Sequence, residues 1–431
     1  MKWVAIFSSL LWAAPSLAAC TVLSGGMVYL EEGVEKGVTV VMDEGEIVGV
    51  GKGLRSLKLT MEAGEVTSAM WGGRLCAFVE VGGKHVVPGF VETMSQLGLI
   101  EISHENATKD ADGGGDPVRA ALRAADAYNP RSTLIGVQRV WGVTSAMTLP
   151  TGGLVSGVGA WVDLNGHSQA EAVQNSKAAM VANLHHGPSR ADALLRLREL
   201  LDDALDYQRN RGSYERNQRR DYVGSRLDLI ALGDVVNRKM PLVVKADRAA
   251  DIEALLELKK EYGIKLVISG GAEAWLLAQE LASAKVAVII NPLVYGPGNF
   301  QQIHARPDNG AILASAGVTV IISSFSTHNA RKLRQVAGNA VRGGMDHHYA
   351  IQAITSNPAK VFSMRRHGLI SAGAIGNLVV WDGDPLELSS RPETVFIRGE
   401  VISMENRQTE LRDRYRELPG TPLPPLPLPE Q

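Results

Sequence analysis

Short apolar runs that alternate with segments of helical periodicity constrain the fold of this chain more than any other feature. Such alternation, from about residue 87 to residue 361, is typical of parallel strands covered by helices. The runs that suit buried strands are 87–91, 143–149, 160–164, 178–184, 241–246, 264–268, 286–290 and 318–322. Eight is the number of strands that a closed barrel of this kind needs. The sequence therefore predicts the α/β class, with a (β/α)8 TIM-like barrel whose sheet is all parallel.

A different pattern lies on both sides of this region, with short β-branched segments separated by glycine-containing turns. The segments are 21–30, 38–42 and 47–50 before the barrel, and 377–381, 395–397 and 401–402 after it. This pattern indicates antiparallel sheet. We therefore expect residues 20–86 and 368–410 to form one small β-sandwich domain beside the barrel of residues 87–367. Residues 411–431 are predicted to hold a C-terminal helix remnant and a Pro-rich tail, since proline favours an extended, solvated chain.

The first 19 residues have the layout of a secretory signal peptide. Lys2 precedes an apolar run over residues 3–14, and Pro15 and small residues follow it. The run is too short for a permanent membrane span. We therefore expect the mature chain to be exported, either periplasmic or lipid-anchored at the cell envelope.

Cys20 allows more than one outcome. Segment 17–20 (LAAC) resembles the lipobox of bacterial lipoproteins, in which the cysteine is acylated. Lipidation at Cys20 is the only route by which we expect this chain to reach a membrane. In an oxidising compartment Cys20 could instead form a disulfide with Cys76, although the usual burial of free cysteine favours a thiol at Cys76.

The charge balance bears on the choice of partners. Lys and Arg number 44 and Asp and Glu number 46, for a formal net charge of −2. Without a basic excess the chain has no field that would attract a phosphate backbone, so nucleic acid is not expected as a partner. A small-molecule ligand is expected instead.

Several segments carry a resemblance to a known family. Segments 88–92 (PGFVE), 142–145 (GVTS), 355–360 (TSNPAK) and 373–385 (GAIGNLVVWDGDP) occur in this order along the chain. They resemble the motifs that open the barrel and lead back to the β domain in the amidohydrolase superfamily, in particular its imidazolonepropionase-like branch. The resemblance covers nearly all of the chain after residue 19, and it implies the same barrel with a small β domain.

The resemblance also implies a chemistry. Members of this superfamily hold one or two divalent metal ions with imidazoles and carboxylates, and the metal polarises a carbonyl and acidifies a bound water. Carried over position by position, the two histidines after strand one correspond to Met94 and Gln96. The histidines of strands five and six correspond to Lys245 and Gly270, and the aspartate of strand eight corresponds to Ser324.

None of these residues is a good ligand for zinc or manganese. The resemblance therefore implies a degenerate, metal-free member that binds a small molecule or a partner in the former substrate pocket. The pocket is expected to contain Glu92, Met94, Gln96, Lys245, Gly270 and Ser324. No cofactor is expected, and a divalent metal such as zinc is expected only if a relocated site exists.

Other hypotheses remain open at this point. The chain could be a hydrolase of non-peptide C–N bonds (a cyclic amide, an N-acyl amino acid or a dipeptide) that uses Lys245 or His328 as a catalytic residue. A relocated metal site could use His167 and His185, because both follow predicted strands where barrel sites form. Asp163 is a candidate acid at the same end, and Lys245 could pair with Glu92 or with a ligand carboxylate.

A third hypothesis is structural. The chain could be a subunit of a homo-oligomer, or it could pair with an active relative. An arginine-rich stretch after a predicted helix could bind a charged ligand, but a solvated surface is the interpretation that we favour. Its members are Arg209, Arg211, Arg216, Arg219 and Arg220.

Overall fold

The computed structural model describes residues 20–62, 65–418 and 421–422. The predicted signal peptide and residues 419–420 and 423–431 of the predicted tail lie outside these ranges. Within them, the helix expected near the C-terminus is present at Arg407–Arg416.

The described strands are numbered in chain order. They are β1 (Thr21–Tyr29), β2 (Val34–Asp43), β3 (Glu46–Gly51), β4 (Leu57–Glu62), β5 (Glu65–Trp71), β6 (Arg74–Glu80), β7 (His85–Pro88), β8 (Phe90–Ser95), β9 (Val143–Thr148), β10 (Val155–Asp163), β11 (Val173–Asn183), β12 (Leu242–Ala246), β13 (Leu266–Gly270), β14 (Ala287–Ile290), β15 (Val320–Ile322), β16 (Leu378–Trp381), β17 (Pro392–Ile397), β18 (Glu400–Val401), β19 (Glu417–Leu418) and β20 (Thr421–Pro422).

The described α-helices are numbered in the same way. They are α1 (Ala124–Ala127), α2 (Thr133–Arg139), α3 (Gln169–Ala172), α4 (Arg190–Glu215), α5 (Arg226–Val236), α6 (Ala249–Tyr262), α7 (Ala278–Ser283), α8 (Asn309–Ser315), α9 (Leu333–Arg342), α10 (His347–Ala353), α11 (Ser356–Val361) and α12 (Arg407–Arg416). Short 3-10 helices occur at Asn106–Thr108, Ala274–Leu277, Phe300–Gln302 and Ala330–Lys332.

Strands β8 to β15 form an eight-stranded, nearly closed barrel sheet in chain order. Strands β1 to β7 and β16 to β18 form a separate sheet, in which β16 from the end of the chain pairs with β7 from its beginning. The predicted α/β class, a TIM-like barrel with a β domain made from both chain ends, is confirmed.

The prediction that the barrel sheet is all parallel was wrong for one strand. Strand β10 runs antiparallel to both of its neighbours, β9 and β11. Only residues 149–154 connect β9 to β10, and a parallel crossover needs a dozen residues or more. A connection this short can only turn the chain back, so β10 ends at the opposite end of the barrel from the other strands.

The first barrel strand also begins later than the apolar run at 87–91 suggests. Val87 and Pro88 belong to β7 in the chain-end sheet, and the barrel strand β8 begins at Phe90. The apolar run is therefore shared between two sheets, both of which bury it.

The barrel core follows from the two-residue period of its strands. Inward residues such as Val243, Val267 and Ile289 pack with Trp161 and Phe362 in one buried cluster inside the barrel. The residues that alternate with them along the same strands face the surrounding helices and belong to a larger cluster there. These side chains pack across the interior of the barrel, below the carboxyl ends of its strands.

Cys20 and Cys76 are joined by a disulfide. The expectation of a free thiol at Cys76 was therefore wrong. Strands β1 and β6 pair in parallel and place the two residues side by side, with Thr21 opposite Ala77, so the tertiary pairing brings together two cysteines that lie 56 residues apart. A sulfur in this bond is not available for acylation, which makes the disulfide and thioether lipidation at Cys20 mutually exclusive.

In the part of the chain that the structure describes, no helix has the length and apolar character required to cross a bilayer.

We predict that Cys76→Ser lowers the free energy of unfolding by about 2–4 kcal/mol, because the disulfide restricts the unfolded chain over a long loop. Urea denaturation followed by circular dichroism, with and without dithiothreitol, measures the effect. The reductant should lower the stability of the wild-type protein to that of the variant and leave the variant unchanged. A wild-type protein that does not respond to the reductant would contradict the prediction.

Candidate functional site

The open end of the barrel is formed by the carboxyl ends of its parallel strands. Asn183 in β11 is the register partner of Lys245 in β12, and Lys245 is the register partner of Ser269 in β13. The three residues therefore lie side by side across neighbouring strands. Lys245 and Ser269 are two positions beyond the inward residues Val243 and Val267, so their side chains also face the barrel interior.

Two cavities open at this end, and Lys245 lines both of them. The first, which we call the apolar chamber, measures about 270 Å³. Its lining includes Met94, Gln96, Leu149, Pro150, Val181, Asn183, Val243, Lys245 and Ser269. The second, which we call the polar chamber, measures about 220 Å³. Its lining includes His185, Lys245, Asp247, Gly270, Asn291, Asn299, Gln301 and Gln302.

The ammonium group of Lys245 lies between these two chambers without a hydrogen bond or an ion pair to any described residue. Glu92, which we considered as its partner, forms its hydrogen bonds elsewhere. The Glu92 carboxylate accepts hydrogen bonds from the Ser323 hydroxyl, from the Ser324 backbone N–H at 2.9 Å and from the Met94 backbone N–H at 3.1 Å. The Lys245 side chain is therefore exposed to the pocket, where it interacts electrostatically with Asp247 without a direct ion pair.

The position of Glu92 gives it a structural role. Strands β8 and β15 are the two ends of the barrel sheet, and they share no ladder of backbone hydrogen bonds within the described chain. Glu92 is fully buried in β8, and its partners Ser323 and Ser324 directly follow β15. Burial raises the pKa of the Glu92 carboxyl, and the hydrogen bonds oppose this rise. The carboxyl group thus connects the two strands where the backbone does not.

Two ionisable groups in the polar chamber have shifted pKa values. Burial, together with the charges of Arg190 and Lys245, lowers the pKa of His185 to about 4, so its ring is neutral at neutral pH. Its Nε2 atom is buried and has no hydrogen-bond partner among the described residues. Burial also raises the pKa of Asp247, whose carboxylate accepts long hydrogen bonds from the Ala272 N–H and the Gln302 amide, each at 3.4 Å.

The side chains at the expected metal-ligand positions do not fit a divalent ion. The side-chain carbonyl of Gln96 accepts a hydrogen bond from the Thr327 hydroxyl at 3.1 Å, and the Ser324 hydroxyl donates to the Ser326 carbonyl at 3.1 Å. Met94 contributes a thioether to the apolar chamber, and Lys245 contributes a cation. Over the described ranges, no group of three or more His, Cys, Asp and Glu side chains is placed to hold a metal ion.

Gly270, the position that the resemblance assigns to a strand-six histidine, has no room for a side chain. Gly270 has a φ of +101°, and a Cβ built on it would lie 2.6 Å from the Asp247 carboxylate. The Asp247 side chain therefore occupies the space into which a side chain at position 270 would project. A side chain at position 270 and the inward carboxylate of Asp247 would exclude each other.

His328, the second candidate catalytic residue, lines neither chamber. It lies in the connection after β15, where its ring nitrogens contact the Ser103 hydroxyl at 3.3 Å and the Glu101 carbonyl at 3.1 Å. These contacts bind it to the segment that follows β8. The structure therefore gives His328 a role in holding this rim together.

His167 and Asp163 are not at the mouth, contrary to our expectation. Asp163 is the last residue of β10, and His167 lies just after it. Because β10 is antiparallel, Asp163 lies opposite Ser145 near the start of β9. Asp163 is fully buried there and accepts hydrogen bonds from the Ser145 hydroxyl at 2.8 Å and the Asn377 amide at 3.2 Å. His167 is exposed at the same end. It therefore lies at the other end of the barrel from His185, and the two cannot share a metal ion.

The arginine-rich stretch is engaged in contacts within its own segment. Arg219 pairs with Asp206, and Arg220 pairs with Asp203, on the neighbouring helix α4. Arg211 pairs with Glu215 one turn further along that helix at 2.8 Å. These contacts agree with the surface role that we favoured.

Three residues of the mouth were not identified from the sequence. Asp247 lies two residues after Lys245 at the end of β12, and this spacing could have identified it as a residue of the mouth. Ser269 and Asn291 carry no sequence signal of their own, since only the alignment of β12, β13 and β14 brings them next to Lys245.

Comparisons with known proteins place this geometry among related barrels. A model of the amidohydrolase family matches residues 248–403. The amidohydrolase tasK of Hapsidospora irregularis is 23% identical over 359 residues, which are 74% of this chain and 36% of tasK. The chain thus spans about a third of the length of this curated relative.

The fold is shared with solved structures. The crystal structure of an amidohydrolase from Thermotoga maritima superimposes with a TM-score of 0.76 at 23% identity, over 89% of this chain and 99% of that one. A β-aspartyl dipeptidase from Fervidobacterium islandicum superimposes with a TM-score of 0.54 at 12% identity, over 89% and 96% of the two chains.

The fold is that of a TIM-like barrel with a β domain, as in the amidohydrolase of Thermotoga maritima. The family model and the curated relative make residues 248–403, and more distantly most of the chain, similar to amidohydrolases.

We predict that Glu92→Ala lowers the free energy of unfolding by about 3 kcal/mol, because it leaves the half-buried N–H groups of Ser324 and Met94 and the buried Ser323 hydroxyl without their acceptor. Chemical denaturation measures the loss. The comparison variant Ser324→Ala keeps the backbone N–H that donates to Glu92 and removes only the hydroxyl, which bonds Ser326, so it should cost about 1 kcal/mol. Equal losses in the two variants would contradict the role of Glu92 between β8 and β15.

Proposed function

We propose that this chain is a degenerate, metal-independent amidohydrolase-superfamily protein that binds a small molecule in the former substrate pocket. The observation that carries the proposal is the environment of the Lys245 side chain. Lys245 is the residue that the resemblance assigns to the strand-five metal ligand, and it lines both chambers of the mouth without a hydrogen bond or an ion pair within the described chain. In this proposal the positive charge of the protein itself replaces the positive charge of the metal.

The physical argument concerns the activation of water. Hydrolysis of a C–N bond in this superfamily depends on a cation that lowers the pKa of a bound water. An ammonium group can attract an anion and donate hydrogen bonds, but it cannot coordinate a hydroxide or receive electron density from a carbonyl oxygen. The residues of the mouth therefore favour binding over hydrolysis.

A second candidate function is hydrolysis with altered catalytic residues. Its support is the pair of perturbed groups in the polar chamber, His185 with a lowered pKa and Asp247 with a raised pKa, since such groups often mark catalytic sites. Under this hypothesis a neutral imidazole would act as the base beside Lys245. Dipeptides and N-acyl amino acids are the substrates to examine.

We also propose that the protein is exported. The disulfide between Cys20 and Cys76 supports this, because such bonds persist in oxidising compartments.

The test of the binding function uses the purified full chain. We expect less than about 0.1 equivalent of zinc, manganese or iron by elemental analysis, and no turnover of dipeptides or N-acyl amino acids. A thermal-shift screen of amides, lactams, peptides and small acids should yield at least one ligand that raises Tm. Lys245→Met, which keeps the length of the side chain but not its charge, should abolish that shift.

The control for this variant is Lys260→Met, an exposed lysine on α6 outside both chambers. It should keep the full shift. A tightly held equivalent of metal, or a turnover that Lys245→Met abolishes, would overturn the binding function, and the latter result would favour the hydrolase. A Tm shift that persists in Lys245→Met would remove Lys245 from the site.

A further inference from the structure

We propose that the ligand of the mouth is a monocarboxylate with an apolar substituent, held by Lys245 and Ser269. This inference rests on the proposed binding function and specifies the class of ligand. The evidence for this ligand class is a second polar group without a hydrogen-bond partner, in addition to the ammonium group of Lys245.

That group is the hydroxyl of Ser269. The residue is completely buried, and its Oγ atom has no hydrogen-bond partner within the ranges that the structure describes. Ser269 lines the apolar chamber and lies directly opposite Lys245 on the next strand. A buried hydroxyl without a partner is energetically costly, so a ligand atom that accepts its hydrogen bond would recover this energy.

The two donors define the charge of the ligand. An ammonium and a hydroxyl on neighbouring strands can each donate to one oxygen of the same carboxylate, and hydrogen bonds to ionised groups are the stronger kind. Lys245 is the cation that lines both chambers, and Asp247, which interacts with it electrostatically, would repel a second negative charge. This disfavours phosphate and dicarboxylates.

The lining of the apolar chamber defines the rest of the molecule. Leu149, Pro150, Val181 and Val243 line one part of its wall, and the polar side chains of Gln96, Thr151, Ser156 and Asn183 line the rest. Its volume of about 270 Å³ suits a short branched chain packed against the apolar part. The carboxylate would then lie at the junction of the chambers, and the substituent would fill the apolar one.

The test compares 4-methylpentanoate with 4-methylpentanamide, which has nearly the same shape but no charge, by isothermal titration calorimetry on the full chain. We expect the carboxylate to bind at least 10-fold more tightly than the amide. Acetate, which lacks the apolar group, should bind at least 10-fold more weakly. Lys245→Met and Ser269→Ala should each weaken the binding of 4-methylpentanoate at least 5-fold, and Lys260→Met should leave it unchanged.

The outcomes separate this inference from the function on which it rests. If the amide binds as tightly as the carboxylate, or if another class of ligand depends on Lys245 while carboxylates do not bind, the ligand class is wrong and the binding function stands. If no compound of any class binds in a manner that depends on Lys245, both fail. Unchanged binding in Ser269→Ala would remove Ser269 from the site.

A different observation supports a second proposal, about the edge of the chain-end sheet. Strand β4 is the last strand on its side of this sheet, and the side chains of Lys58, Leu59, Thr60, Met61 and Glu62 are exposed. No ion pair or hydrogen bond of the Lys58 or Glu62 side chain to a described residue is present. An edge strand with exposed apolar residues is a template for pairing with another strand.

We infer that β4 pairs with β4 of a second copy of this chain. In an antiparallel pair centred on Thr60, Lys58 of each copy lies opposite Glu62 of the other, and Leu59 lies opposite Met61. Opposite charges and apolar pairs at facing positions stabilise such a ladder. Within one copy, Lys58 and Glu62 are four residues apart along an extended strand, roughly 13 Å, so they cannot pair with each other.

Charge exchange tests this dimer directly. By sedimentation velocity at low salt, the wild-type chain should be a dimer. Lys58→Glu alone and Glu62→Lys alone place like charges opposite each other and should shift the protein to monomer. The double exchange Lys58→Glu with Glu62→Lys should restore the dimer, because the facing pairs are complementary again.

The control is Lys36→Glu on the exposed part of β2, which makes the same change in net charge as Lys58→Glu away from the edge. It should leave the dimer intact, and circular dichroism should show that all variants are folded. A monomeric wild-type chain, or single variants that remain dimeric, would overturn the proposal.

Discussion

The shape of the mouth depends on a buried carboxyl group that connects two strands without a shared backbone ladder. Strands β8 and β15 are the two ends of the barrel sheet, and Glu92 joins them through the Ser323 hydroxyl and the backbone N–H of Ser324. Thr327 adds a second connection with the backbone and side chain of Gln96. These hydrogen bonds use groups near the place where a metal centre would hold the same strands together. Hydrogen bonds alone therefore hold β8 and β15 together at this end of the barrel.

The groups on the opposite side of the mouth are unpaired. Lys245 and Ser269 face the interior on neighbouring strands, and neither has a partner among the residues described. The contrast is informative for Ser269, since buried polar groups normally have a hydrogen-bond partner; the Lys245 side chain is exposed. One side of the mouth is thus fixed by internal hydrogen bonds, whereas the other side offers hydrogen-bond donors to a ligand. The Asp247 side chain fills the space next to Gly270, so the two residues are sterically linked.

The direction of one strand decides which residues belong to the mouth. The sequence pattern of β10 is that of any buried strand, and nothing in it indicates direction. The connection of residues 149–154 carries that information, since it is too short for a crossover. Reversing β10 moves Asp163 and His167 to the end of the barrel that faces the chain-end sheet, where Asp163 binds Asn377. Strand direction and register also explain the disulfide, because the parallel pairing of β1 and β6 brings Cys20 next to Cys76.

The local sequence determined the fold class and the chemical character of the expected site positions. The alternation of apolar runs with helical segments was sufficient to predict the barrel, because burial on both faces requires such runs. Single positions identified by resemblance were sufficient to show that Met94, Gln96, Lys245, Gly270 and Ser324 are poor metal ligands. Only the tertiary structure decided what those residues contact: that Glu92 binds Ser323 and not Lys245, that Ser269 faces the same chamber as Lys245, and that His328 binds the rim. The physical reason is that a side chain's partners depend on strand direction and register between distant segments, and local pattern carries neither.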